Sequence, residues 1–133
     1  MRTIFINISN HPTTKWSSEQ LDAIKGFPNV DKVVDIPFPQ ISPDADELDV
    51  LQQAEEMFNT IMGQYNNITE DIIFHIMGEM TFVYAFVSMA QKHFGYKCIC
   101  VASTTERIVE EKDGVKISVF KFKRFRGYTA FYV

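Results

Sequence analysis

Three short runs of this sequence carry side chains that can act on a phosphate ester. Ser9, Asn10 and His11, followed by Thr13, Thr14, Lys15 and Trp16, supply hydroxyls, an amide, an imidazole, a cation and a large flat ring. Gly78, Glu79 and Thr81 form a second run, and Ser103, Thr104, Thr105, Glu106 and Arg107 a third. Hydroxyls and an Arg fork recognise phosphate oxygens, the fork with two parallel donors. An indole can stack a base, and amides and hydroxyls can bond ribose. His11 is a candidate general acid or base, and Lys15 and Arg107 are candidates to stabilise charge on a phosphate. Each also has a plain structural reading. Trp16 suits a helix-entry staple, His11 a loop cap, Glu79 a helix start, and the Ser-Thr run a hydroxyl-rich turn. His75 lies inside an apolar run and reads as a packed core residue.

The surrounding patterns say which elements hold these runs. Thr3–Ile8 is β-rich and ends in turn residues. Ser17-Ser18-Glu19-Gln20 fits a capping box, so a helix starts there and runs to about Lys25. Lys32–Pro37 is a second strand, and a proline- and acid-rich loop covers Phe38–Asp46. Leu51, Ala54, Phe58, Ile61 and Tyr65 fall at helical spacing, and Asn66-Asn67 ends that helix. Asp71–Met77 is a third strand. Phe82, Ala85, Phe86, Met89 and Phe94 mark a third helix, closed by Gly95, and Lys97–Ala102 is a fourth strand. Arg107–Glu111 and Val115–Phe122 then flank Lys112-Asp113-Gly114, a hairpin signal. Apolar strands alternating with helices predict an α/β, Rossmann-like three-layer sandwich: four parallel strands with helical crossovers plus a C-terminal β-hairpin. In such a sheet, ligands bind outside the carboxyl ends of the strands, and all three polar runs follow strands.

The chain has 133 residues, which fits a single domain over residues 1–133. Its formal charge is −4, which argues against a duplex-DNA binder. The charge is uneven: from Arg107 onward there are seven Lys/Arg against three Asp/Glu. Such a tail is either a solvated strand face or a source of phosphate attraction. Cys98 and Cys100 alternate inside an apolar run and read as buried thiols. His11, His75 and His93 have no ligand spacing with Cys or carboxylates, so no metal and no cofactor is expected. The Gly-rich dinucleotide and P-loop fingerprints and the nucleophile elbow are missing. No apolar stretch reaches membrane-spanning length and the N-terminus runs straight into a strand, so a cytoplasmic protein is expected.

The element order, the closing hairpin and the S-x-x-x-R from Ser103 to Arg107 resemble the CARF family, the CRISPR-associated Rossmann-fold domains. The family often has Asp or Asn two residues before that Ser, where this chain has Val101. The resemblance spans nearly the whole chain in topology. It implies a homodimer that binds a cyclic oligoadenylate messenger in its cleft. Most members carry an effector domain for which this length leaves no room; small stand-alone members resemble ring nucleases, which cut the messenger and switch off type III CRISPR signalling. On that resemblance His11, Lys15 and Arg107 are the catalytic candidates. Ser9, Asn10, Trp16, Gly78, Glu79, Thr81, Ser103, Thr104 and Thr105 are the ligand-binding ones. Cleavage without metal would use the ligand's own ribose 2′-OH against its neighbouring phosphate. A non-catalytic binder and an adaptor without nucleotide ligand are the alternatives. The aromatic tail, Phe125, Tyr128, Phe131 and Tyr132, is a candidate interface, because aromatics are enriched there.

Overall fold

The computed structural model describes residues 2–65, 70–95 and 98–130. The expected end of the second helix at Asn66-Asn67, the first residue of the fourth strand at Lys97, and Phe131 and Tyr132 of the tail lie outside the described residues. Five strands, β1 (Arg2–Ser9), β2 (Val30–Pro37), β3 (Glu70–Ile76), β4 (Cys98–Lys112) and β5 (Val115–Gly127), form one sheet in the order β2-β1-β3-β4-β5. The first four run parallel, and β5 returns antiparallel to β4. Helix α1 (Ser18–Ile24) covers one face, and α2 (Glu47–Tyr65) and α3 (Met80–Phe94) cover the other. This is the expected α/β Rossmann-like sandwich with its closing hairpin. The order reverses at β1, because β2 lies on one side of it and β3 on the other; the crevice between β1 and β3 is the switch point.

Alternation along each strand divides the side chains between two cores. Ile4, Ile6, Ile8, Phe74 and Ile76 pack under α2 and α3 against Ala54, Phe58, Ile61, Phe82 and Phe86. Phe5, Ile73 and Val101 pack on the α1 side with Trp16 and Ile24. Helix α1 begins as its capping box predicts, with the Ser17 hydroxyl accepting from Gln20 N–H at 3.2 Å. The buried stripe of α2 is shifted by one residue at its start: Val50 is inside and Leu51 is 45% exposed.

Strand β4 departs from the expected boundaries. The short fourth strand, the Ser103–Arg107 run and the first hairpin arm are one continuous strand. β-branched Thr104, Thr105, Ile108 and Val109 suit extended backbone, and β5 supplies a partner as far as Lys112. Among the described residues only Cys98–Val101 pairs with β3, so Ala102–Lys112 and β5 continue past the carboxyl edge as a two-stranded ribbon roughly 35 Å long. The ribbon turns at Asp113 (φ 53°) and Gly114 (φ 77°), the positive-φ pair of a type I′ turn. A bulge between Thr104 and Thr105 gives β5 one extra residue, Lys123, whose ammonium reaches Glu106 at 2.8 Å.

Candidate functional site

Register brings one polar residue from each of three strands to the same level. Asp35 on β2 pairs with Asn7 on β1, which pairs with His75 on β3. His75 in turn pairs with Val101, and Ser103 stands one pleat further along β4. Asn7, His75 and Ser103 share the face covered by α1, directly beneath the switch point. Asn7 is 1% exposed and His75 2%.

These side chains form one hydrogen-bonded row. Asn7 Nδ2 donates to Asp35 Oδ1 at 2.9 Å and to the His11 carbonyl at 2.9 Å. Both partners only accept, which fixes the amide with Oδ1 toward His75. That oxygen lies 2.9 Å from His75 Nδ1, so Nδ1 carries a proton. Burial lowers the His75 pKa to about 4, against a smaller upward pull from the backbone, so the ring is neutral and Nε2 is an acceptor. Ser103 Oγ, 2.7 Å from Nε2, donates its proton there and accepts from Gln20 Nε2 at 3.0 Å.

The loop after β1 is tied to the same row. The Ser9 hydroxyl, buried, lies within bonding distance of Asn7 Oδ1 (2.8 Å) and the His11 carbonyl (3.0 Å). Thr13 donates to the Asp35 carboxylate from both N–H (3.1 Å) and Oγ1 (2.7 Å). Partial burial pulls the Asp35 pKa up, but the bonds from Asn7 and Thr13 outweigh it and hold the carboxyl below its ordinary value. The His11 carbonyl thus faces inward while its imidazole stays on the exposed rim with Asn10 and Lys15.

A family model covers residues 3–126, from the start of β1 almost to the end of β5. The chain belongs to the uncharacterized protein MJ1673 family. No curated protein sequence matches this MJ1673-family chain. Among solved structures, Enterococcus italicus Csm6 bound to cyclic hexa-2′-fluoro-hexa-dAMP is similar at 10% identity, with a TM-score of 0.46 over 79% of this chain. The aligned part spans about a third of the Csm6 chain, 34%.

Several of the residues proposed from sequence sit otherwise than expected in this MJ1673-family chain. Trp16 is not a stacking platform: it is 8% exposed, its ring meets Phe5, His75 and Phe125, and Nε1 donates to the His11 carbonyl at 2.9 Å. Ser103 and Arg107 do not form one fork. Four residues of strand hold their Cα atoms about 13 Å apart, and Arg107 Nε donates to Ser118 Oγ at 3.1 Å on the ribbon. Glu79 caps α3, accepting from Phe82 N–H at 2.9 Å, from Thr81 N–H at 3.2 Å and from the Thr81 hydroxyl. Its carboxylate, with a pKa lowered first by Thr81, occupies the N-terminal end of the helix, where an anion would otherwise be favoured. Gly78 is required by packing, since a Cβ there would lie 2.4 Å from the Phe38 ring. Thr104 is half-buried opposite Arg124, and Thr105 is exposed. In the aromatic tail, Phe125 packs on Phe5 and Phe27, and Tyr128 donates to the Ile76 carbonyl at 2.7 Å, so both are used inside the chain rather than free for an interface.

Sequence reasoning missed Asn7, Asp35 and Gln20 and placed His75 in the core without a partner. The signal was present as one polar residue near the carboxyl end of each of three apolar strands. It becomes a cluster only once the register is known. Among the described residues no helix is long and apolar enough to cross a membrane.

Proposed function

We propose that the protein binds a cyclic oligoadenylate along the carboxyl edge of its sheet and cleaves it by attack of a ribose 2′-OH on the adjacent phosphate. The observation that carries this is the pairing of a polar row at the β1/β3 switch point with a basic ribbon rising from the same edge. At the exposed end of the row half-buried Ser103 keeps one acceptor position for a ribose hydroxyl. The ribbon holds Arg107, Lys116, Lys121, Lys123, Arg124 and Arg126, an electrostatic partner for a polyphosphate on a chain of net charge −4. The exposed His11 and Lys15 supply proton transfer and charge stabilisation at the rim. Ser9, Asn7 and Trp16 hold the loop that presents them. The expected partners are this small cyclic RNA and a second copy of the chain, whose edge would complete a two-fold cleft. The CARF resemblance points the same way and adds the role, removal of a type III CRISPR signal in the cytoplasm.

Labelled cyclic tetra- and hexa-adenylate, incubated with the protein in excess EDTA, test this directly. Conversion to linear products ending in a 2′,3′-cyclic phosphate is the expected outcome. Retention of intact ring would make the protein a binder that holds the messenger without cutting it. Neither binding nor cleavage of any ring size would remove the nucleotide reading.

A further inference from the structure

The geometry points to a proton relay in which Ser103 takes the proton of a ligand hydroxyl and passes its own to His75, which Asn7 and Asp35 hold from behind. This rests on the cleavage reading and names the group that activates the 2′-OH. It is carried by the direction of each hydrogen bond in the row. A serine hydroxyl has one donor and two acceptor positions. The Ser103 proton is committed to His75 Nε2 at 2.7 Å, and one acceptor position is filled by Gln20 Nε2 at 3.0 Å. The remaining position can only accept. Ser103 therefore suits a ligand hydroxyl and cannot donate to a phosphate oxygen while His75 is neutral, which reverses the phosphate-binding role expected from the sequence.

Behind Ser103 the row is built to receive a proton. His75 Nδ1–H is anchored on Asn7 Oδ1, and the Asn7 amide is polarised by the Asp35 carboxylate at 2.9 Å. This is the arrangement of a nucleophile–base–orienter triad, used here to remove a proton from the ligand. Titratable or charged groups facing the ring are few. Phe5, Trp16 and Phe125 enclose it from β1, the loop after β1 and β5, and Asp35 on β2 reaches it only through Asn7.

The 2′-OH proton moves to Ser103 Oγ as the Ser103 proton moves to Nε2. The 2′-oxygen bonds to phosphorus and the bond from phosphorus to the 5′-oxygen breaks. His11 at the rim protonates the leaving 5′-oxygen and regains a proton from solvent, and the His75 imidazolium returns its proton through Ser103 to solvent. The products are a 2′,3′-cyclic phosphate and a 5′-hydroxyl. Ser103 is the catalytic residue, and His75 and Asn7 position and discharge it.

Two measurements decide the proposal. Long-range ¹⁵N–¹H spectra of the wild type at pH 7 should show His75 neutral with the proton on Nδ1; a proton on Nε2 overturns the relay whatever the activity. Single-turnover cleavage at saturating cyclic oligoadenylate should fall roughly 10²–10⁴-fold in S103A and H75Q. Affinity should stay within threefold, and the wild-type rate should decline below about pH 4 as His75 protonates. Equal losses of rate and affinity, or an H75Q rate equal to wild type, would overturn it. Binding without cleavage by the wild type removes the relay and leaves the binding reading standing, whereas loss of binding as well removes both. Should H75Q not fold, the wild-type pH profile and the tautomer still decide.

Discussion

At the scale of the residue, His75 shows how a buried polar group can be tolerated only by a full set of partners. Both ring nitrogens are bonded, and no buried side-chain N or O among the described residues lacks a hydrogen bond. The arrangement couples folding to pH. The His75 pKa falls from 6.5 to about 4, so between those values the unfolded chain holds a proton that the folded chain does not. Stability is therefore fully present above about pH 6.5 and declines as the pH drops toward 4, by roughly 3 kcal/mol in all. Asp35 works in the same direction at lower pH, since a carboxyl held below its ordinary value adds stability that disappears once it is protonated. Urea midpoints at pH 4.5, 5.5 and 7 should fall steeply with acid in the wild type. They should fall less in His75→Gln, which cannot take a proton; parallel slopes would show that another group governs the window. The sequence showed His75 as buried because its neighbours are apolar, but not what it bonds. Its partners lie 68 and 28 residues away, and only register joins them.

At the scale of the element, the ribbon of β4 and β5 is where sequence and structure part most clearly. The hairpin turn was legible, because Asp113-Gly114 is a local signal that needs no tertiary information. The continuity of β4 was not. Polar Ser103–Arg107 resembles a turn, and its strand conformation depends on β5, which lies beyond it in the chain. Helix α1 meets the ribbon only at its base, where Gln20 bonds Ser103 among the described residues, and farther out Val109, Val115, Ile117 and Phe120 are all more than 40% exposed. Lys and Arg along β5 blunt its open edge against pairing with other strands. Segments with few buried contacts open first. Amides of residues 105–122 should therefore exchange with deuterium at least tenfold faster than those of Ile4–Ile8 and Ile72–Ile76. Gly114→Ala should speed them further, since a Cβ at φ 77° adds roughly 1 kcal/mol of strain. Equal protection across the whole sheet would mean that something covers the ribbon in solution.

At the scale of the whole molecule, the question is how one chain would meet the proposed ring. The fold class followed from alternation of apolar strands and helices, and with it the expectation that a site would lie on the carboxyl edge. The composition of that edge did not follow. Trp16, Gly78 and Glu79 each belong to packing or capping, and the polar row sits one layer deeper than the loops that drew attention first. A single edge presents Ser103, His11 and Lys15 once, whereas a cyclic oligoadenylate repeats its phosphates and riboses around a closed ring. A two-fold pair of edges matches it, and an isologous interface closes without leaving a free surface for further growth. The aromatic tail no longer argues for this, since Phe125 and Tyr128 are already packed. Among the described residues the most exposed large apolar side chains are Met80 and Tyr84 on α3, 82% and 78% exposed, followed by Leu48 on α2 and by Phe120 and Val115 of the ribbon. Light scattering at tens of micromolar should give twice the 15.4 kDa chain mass, and one ring should bind per two chains. Arg107, which shares its ribbon face by alternation with Ser103 and Thr105, should contact a phosphate of that ring. Arg107→Ala should then weaken affinity ten- to a hundredfold, the roughly 1.5–3 kcal/mol of a charge-assisted bond. It should leave the dimer mass and the His75 tautomer unchanged. A monomer that binds one ring per chain would defeat the two-fold arrangement, and an unaltered affinity in Arg107→Ala would take the ribbon out of the binding surface.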